Sequence, residues 1–120
     1  MILRAAFLTV CLIGAGAAAV AQTGKATGAM LRGLDKVSGE PTDFTMNVGD
    51  TVEIGNLRVT LGECRYPTDN PSGDAYAWLV IRDGTADDVT FEGWMIASSP
   101  ALNALDHQRY DVWVLRCVTE

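Results

Sequence analysis

The stretch SSPALNALDHQRYDVW, residues 98 to 113, places two serines, the single histidine of the chain and two aspartates close together. A serine nucleophile, His107 as general base and Asp106 or Asp111 to orient the imidazole would make a hydrolytic triad. Ser99 fits that role poorly. Serine hydrolases commonly form the oxyanion hole with the backbone N–H that follows the nucleophile, and Pro100 has none. Ser98 escapes this objection, yet neither serine lies in the Gly-x-Ser-x-Gly elbow that presents a strained nucleophile. Ser-Pro ahead of ALNALDH instead predicts a helix start, with Ser99 as N-cap and Pro100 at the first helical position. His107 then falls at the C-terminal end of that helix, where an imidazolium favours the negative end of the dipole. Catalytic candidates reduce to Ser98, His107, Asp106 and Asp111.

Other chemistry is sparse. The sequence has three cysteines, of which Cys11 lies in the N-terminal apolar run and Cys64 and Cys117 lie beyond it. In an oxidising compartment the latter two can form one bridge, which on the chain-entropy model stabilises the fold by about 4 kcal/mol. The alternatives are a redox pair or a metal site, but no Cys-x-x-Cys is present and one histidine does not complete a usual zinc set. Loop acids Asp69 and Asp74, and Asp83, Asp87 and Asp88, offer oxygen ligands for calcium without the ordered spacing of a calcium loop. Solvated turn acids are the expectation there, with no metal and no cofactor. Paired carboxylates for glycoside hydrolysis depend on distances that only a fold can supply.

Aromatic residues suggest binding. Tyr66, Tyr76, Trp78, Trp94, Tyr110 and Trp113 would stack sugars or grip a protein if exposed on one face, or fill a core if buried. Trp78 and Trp113 lie on the most apolar segments and are expected in the core. Tyr66 and Tyr76 flank the loop PTDNPSGD and, with Trp94, Ser99, His107 and Tyr110, form the candidate interaction surface.

The elements that must position these residues begin after an unusual leader. Arg4 precedes the apolar run AAFLTVCLIGAGAAAVA, which ends in the triplet Ala19-Val20-Ala21. This is the pattern of a secretory signal peptide, residues 1–21, cleaved before Gln22. The mature chain of roughly 100 residues is then a single small domain. Losing Arg4 makes a formal net charge of −6 more acidic still, which disfavours nucleic acid and anionic membrane surfaces as partners. Residues 22–28, QTGKATG, read as a flexible leader, and the folded domain as 29–120. Within it, short apolar runs alternate with turn residues: AMLRGLDKV, DFTMNV with Phe44, Met46 and Val48 on one face, TVEI, LRVTLGECRY, AYAWLVIRD, VTFEGWMIA and YDVWVLRCV. Strict alternation from Leu57 puts Cys64 on the polar face, so a bulge at Gly62 is expected to bring it inward. AYAWLVIRD is apolar at both parities, as in a central strand covered on two sides. The fold class is mainly β, a compact sandwich or small barrel of about seven short strands with one short helix near the C-terminus.

LRGLDKVSG, VGDTVEIGNLRVTLGECRYP, YAWLVIRD and the long signature FEGWMIASSPALNALDHQRYDVWVLRC resemble a family of exported alphaproteobacterial proteins characterised only as a domain of unknown function. The resemblance runs from about Met30 to Cys117. It implies a periplasmic, single-domain, mostly β protein with two matching cysteines, here Cys64 and Cys117, and carries over no catalytic residue. Family genes lie near those of a respiratory complex I accessory subunit, which implies an envelope or respiratory partner. Sequence and resemblance together point to a non-enzymatic periplasmic module binding a protein or other envelope component. The alternative is a small hydrolase acting on cell-wall or polysaccharide material.

Overall fold

The computed structural model describes residues 22–84 and 87–119. The expected signal peptide, its cleavage point and Cys11 lie outside the described residues. Among the described residues eight strands follow one another: β1 (Thr23–Lys25), β2 (Gly28–Asp35), β3 (Pro41–Asn47), β4 (Thr51–Ile54), β5 (Leu57–Pro67), β6 (Tyr76–Asp83), β7 (Val89–Ile96) and β8 (Tyr110–Val118). They form two antiparallel sheets, a five-stranded one in the order β1-β5-β6-β7 with β4 also on β5, and a three-stranded one in the order β3-β2-β8. The expected mainly β fold is therefore present, as a sandwich.

Alternation builds the layer between the sheets. From the larger sheet Leu57, Val59, Leu61, Ala77, Leu79, Ile81, Phe91 and Met95 point inward and are buried. From the smaller one Ala29, Leu31, Met46, Val112 and Val114 meet them, with Phe44 half-buried at the margin. Branched and unbranched aliphatics at every second position suit the pleat, and this shared apolar layer is what makes two sheets one domain. Gly62 interrupts the alternation as expected, with the β5–β6 register shifting between Leu61 and Glu63. The extra residue turns Cys64 inward, where it is 0 % exposed and bonded to Cys117 on β8. The disulfide thus ties one sheet to the other and closes a sequence separation of 53 residues.

Several sequence expectations are corrected. The polar leader is not free: Thr23–Lys25 pairs with Arg65–Pro67, and the Gln22 carbonyl accepts bonds from Thr68 N–H and Oγ1–H. Its strand is held by backbone bonds while its side chains face solvent, so composition carries no trace of it. Val48 does not join Phe44 and Met46, because β3 stops at Asn47 and Val48 sits 39 % exposed in the turn. β6 is covered on one face only. Trp78 and Trp113, expected in the core, both lie half-buried on outer faces, opposite in parity to the buried Ala77, Leu79, Val112 and Val114.

The predicted C-terminal helix is also absent. Pro100–Leu102 makes a single 3-10 turn, Ser99 gives no side-chain cap, and Asn103 is already extended. One turn fixes several dihedrals for one hydrogen bond, here Leu102 N–H to Ser99 C=O, and such a nucleus propagates only if the following residues continue it. Instead Asn103 donates its side-chain amide to the Trp94 carbonyl on β7, and Leu105 inserts into the core at 5 % exposure. Residues 97–109 therefore form an irregular strap along the side of the sandwich, from the end of β7 to the start of β8.

Candidate functional site

The strap separates the residues that look like a triad. Ser98 lies at its beginning, where its Oγ–H donates to Asp74 Oδ2 at 2.7 Å and its N–H to Asp74 Oδ1 at 3.0 Å. Burial pushes the Asp74 carboxyl up, but these bonds and the Ala75 N–H outweigh it and hold the group below the usual carboxylate range. His107 lies at the far end of the strap. Its Nδ1 accepts the N–H groups of Arg109 and Tyr110 at 3.0 and 3.2 Å, and its Nε2 faces Asp83 Oδ2 at 3.6 Å. Asp74 precedes β6 and Asp83 ends it, so Ser98 and His107 are held at opposite ends of a strand roughly 25 Å long. Asp106 is exposed, while Asp111 on β8 accepts the neighbouring Val112 N–H at 2.9 Å. With Nδ1 taken by two backbone N–H groups and Nε2 turned to Asp83, both ring nitrogens tie His107 to its surroundings as a clasp for the strap.

The loop acids are engaged locally. Asp74 serves Ser98 and Ala75, Asp83 faces His107, and Asp87 pairs with Arg58. Among the described residues no three His, Cys, Asp or Glu side chains gather into a metal-holding group.

The aromatic candidates divide. The Tyr66 ring packs over Gly24 and against the core, and Tyr110 is buried beside Gly55, with Arg109 over its ring at 5.3 Å. Ser99 belongs to the strap. Tyr76 and Trp94 do share a surface, and Trp78, expected in the core, joins them. Pairing sets Glu63, Trp78 and Trp94 in one row across β5, β6 and β7, with Arg65, Tyr76 and Ile96 in the next. All point away from the core. Trp78 and Trp94 pack edge to face, with ring centroids 5.5 Å apart at 73°, and the Arg65 guanidinium stands 5.5 Å from the Trp94 ring. Glu63 accepts from Arg65 at 2.9 Å and faces Lys25 at 3.6 Å. The Arg65 hydrogen bond, chiefly, holds the Glu63 carboxyl below its ordinary range.

This face also departs from the rest of the molecule in charge. Lys25, Arg58, Arg65 and Arg82 share it with Glu53, Glu63 and Glu92, although the chain as a whole carries a net charge of −6. The face thus combines a tryptophan pair with a cation over one ring in a near-neutral frame on an acidic protein. The parity of Trp78 was the signal that could have revealed it: Ala77, Leu79 and Ile81 form a purely aliphatic set, which leaves the bulky Tyr76 and Trp78 on the other side.

No solved structure matches the chain. A curated relative, "Uncharacterized protein RP359" of Rickettsia prowazekii (strain Madrid E), is 25% identical over 87 residues, 70% of this chain and 56% of the relative. The chain thus spans about half the length of that relative. A family described as "Uncharacterized protein conserved in bacteria (DUF2155)" matches residues 29–117, from the buried Ala29 of β2 to the second half of the disulfide. The chain therefore belongs to the DUF2155 family.

Proposed function

We propose that the protein is a non-enzymatic binding module of the bacterial cell envelope, exported to the periplasm and docking to a partner protein or envelope component through the outer face of its larger sheet. The observation that carries this reading is the Trp78–Trp94 pair with Arg65 over it. The sandwich sets its tryptophans Trp78 and Trp94 on the outer face, half-buried, where a partner would cover their remaining apolar surface. The geometry favours binding over hydrolysis because Ser98 and His107 are bonded at opposite ends of β6.

The test is in-cell photo-cross-linking from Tyr76 or Ile96, positions beside the pair. A defined cross-linked partner should be recovered, and the Trp78→Ala/Trp94→Ala protein, checked to be folded, should lose at least about 90 % of it, the size of effect expected of an aromatic hot spot. Recovery of the protein alone, or an undiminished cross-link in the variant, defeats the reading. A respiratory-complex partner is one identity the same experiment would reveal. Intact mass measurement of the native protein tests export, with a mature start at Gln22 expected.

A further inference from the structure

In an antiparallel sheet an edge strand turns every second N–H and C=O outward without a partner, which invites a further strand. This fold manages most of its edges. β1 and β4 are only three and four residues long. β3 opens with Pro41 and exposes Thr42, Asp43 and Thr45. The edge of β7 is covered by the strap, through Asn103 on the Trp94 carbonyl at 2.9 Å and Ser99 N–H on the Ile96 carbonyl at 3.1 Å. β8 differs. It is nine residues long, largely apolar, and outermost in its sheet.

Two grooves follow that edge. Asp111, Val112 and Trp113 face Pro100, Ala101 and Ala104 across a groove of about 390 Å³. Leu115 and Arg116 face Ala97, Ser98 and Asp74 across a second of about 210 Å³. The strap thus runs antiparallel beside β8 while bonding to β7. Leu102, 74 % exposed, stands on the strap next to the first groove. The Val112 N–H points away from β2 and is held by the side chain of its own neighbour, Asp111 Oδ1, at 2.9 Å.

We propose that the β8 edge accepts an extended segment of a partner protein as an added antiparallel strand, with the Asp111 carboxylate as a displaceable cap on the Val112 N–H. The segment's carbonyls take the outward N–H groups of Val112 and, two residues on, Val114. Its small or apolar side chains fill the groove against Pro100, Ala101, Ala104 and Trp113, and an acidic residue meets the exposed Arg116. The strap bounds the groove on its far side, which favours a single extended chain over the broader edge of a second folded copy. The inference rests on the binding reading above but uses a different surface, so the two can fail separately.

The probe is a synthetic nonapeptide copying β8, Tyr-Asp-Val-Trp-Val-Leu-Arg-Ser-Val. Laid antiparallel, it brings its acid to Arg116 and its arginine to Asp111. It is compared with the same peptide N-methylated at alternate residues, which keeps the side chains and removes main-chain donors. With the disulfide-intact protein, the first peptide should slow amide exchange at Val112 and Val114 at least about tenfold, and the methylated one should bind at least about tenfold more weakly. Both effects should persist in the Trp78→Ala/Trp94→Ala protein. Equal binding of the two peptides, or no saturable protection at Val112, overturns the inference. Protection confined to the Trp78–Trp94 face also overturns it while leaving the binding reading intact. A protein that sediments alone as a dimer with Val112 already protected assigns the edge to a second copy, and the inference fails.

Discussion

His107 uses both ring nitrogens to hold backbone and carboxylate, and the clasp joins three parts of the chain. Nδ1 gathers the Arg109 and Tyr110 N–H groups, Nε2 faces Asp83, and the His107 carbonyl accepts the Lys36 ammonium at 2.8 Å. His107→Ala leaves the part-buried Tyr110 N–H without its acceptor, frees the exposed Arg109 N–H to water, and should destabilise the protein by about 1–3 kcal/mol in urea unfolding. A destabilisation indistinguishable from zero would show the imidazole to be ornamental. The carboxylates give a second residue-scale expectation. Asp35, bonded by Arg109, and Asp43, bonded by Arg32, are held below their ordinary range, as are Glu63 and Asp74. A carboxyl with a lowered folded pKa binds fewer protons folded than unfolded, so its contribution is present above the unfolded value and lost as pH falls through the folded one. Melting temperature should therefore decline as pH drops below about 4. Asp74→Asn should make that acid-side decline shallower, since one of the groups no longer titrates.

At the scale of elements, two substitutions probe how strands and strap are seated. A Cβ on Gly28 would sit 2.4 Å from the Met46 carbonyl oxygen, a backbone atom that cannot swing aside. Gly28→Ala should then force β2 and β3 apart and cost about 1–3 kcal/mol in chemical denaturation. Leu105 is the buried side chain of the strap. Leu105→Ala should cost about 2–4 kcal/mol and speed amide exchange through residues 97–109 more than through β2, which separates a local anchor from a global one. The same elements show what could be read in advance. The β5 bulge was legible because Gly62 breaks a clean alternation and Cys64 needs an inward register. The placing of Trp78 and Trp113 was not, since β6 and β8 are apolar at both parities and the choice is made by the strand across the sandwich. The strap misled for a different reason: Ser99-Pro100 is a sound helix start, but ALNALDH offers little more than one period, and the Asn103 hydrogen bond to Trp94 together with the burial of Leu105 outweighs a short helix. Of the candidate surface, Tyr76 and Trp94 lie on the outer face of the larger sheet, whereas Tyr66 and Tyr110 turn inward, where Gly24 and Gly55 leave room for their rings.

For the whole molecule, the question is what keeps two modest sheets together in a domain of roughly 100 residues, whose folding free energy is of order 5–15 kcal/mol. The shared apolar layer is one answer and the Cys64–Cys117 bond, joining β5 to β8, is the other. Closing a 53-residue separation removes unfolded-state entropy worth about 4 kcal/mol on the chain-entropy model. That is a large share of such a total. Cys64 is fully buried opposite Ala77, so the Cys64→Ala/Cys117→Ala protein also loses sulfur packing, and a reduced wild-type protein is the control that keeps it. Both should lose about 2–5 kcal/mol in urea unfolding relative to the oxidised form, with the reduced protein losing the lesser amount. Exchange should quicken first in β1 and at the Tyr66 end of β5, next to the bond, and last around the His107 clasp at the opposite end. A loss below about 1 kcal/mol in both would mean that the aliphatic layer alone holds the sheets in register and the bond serves another purpose.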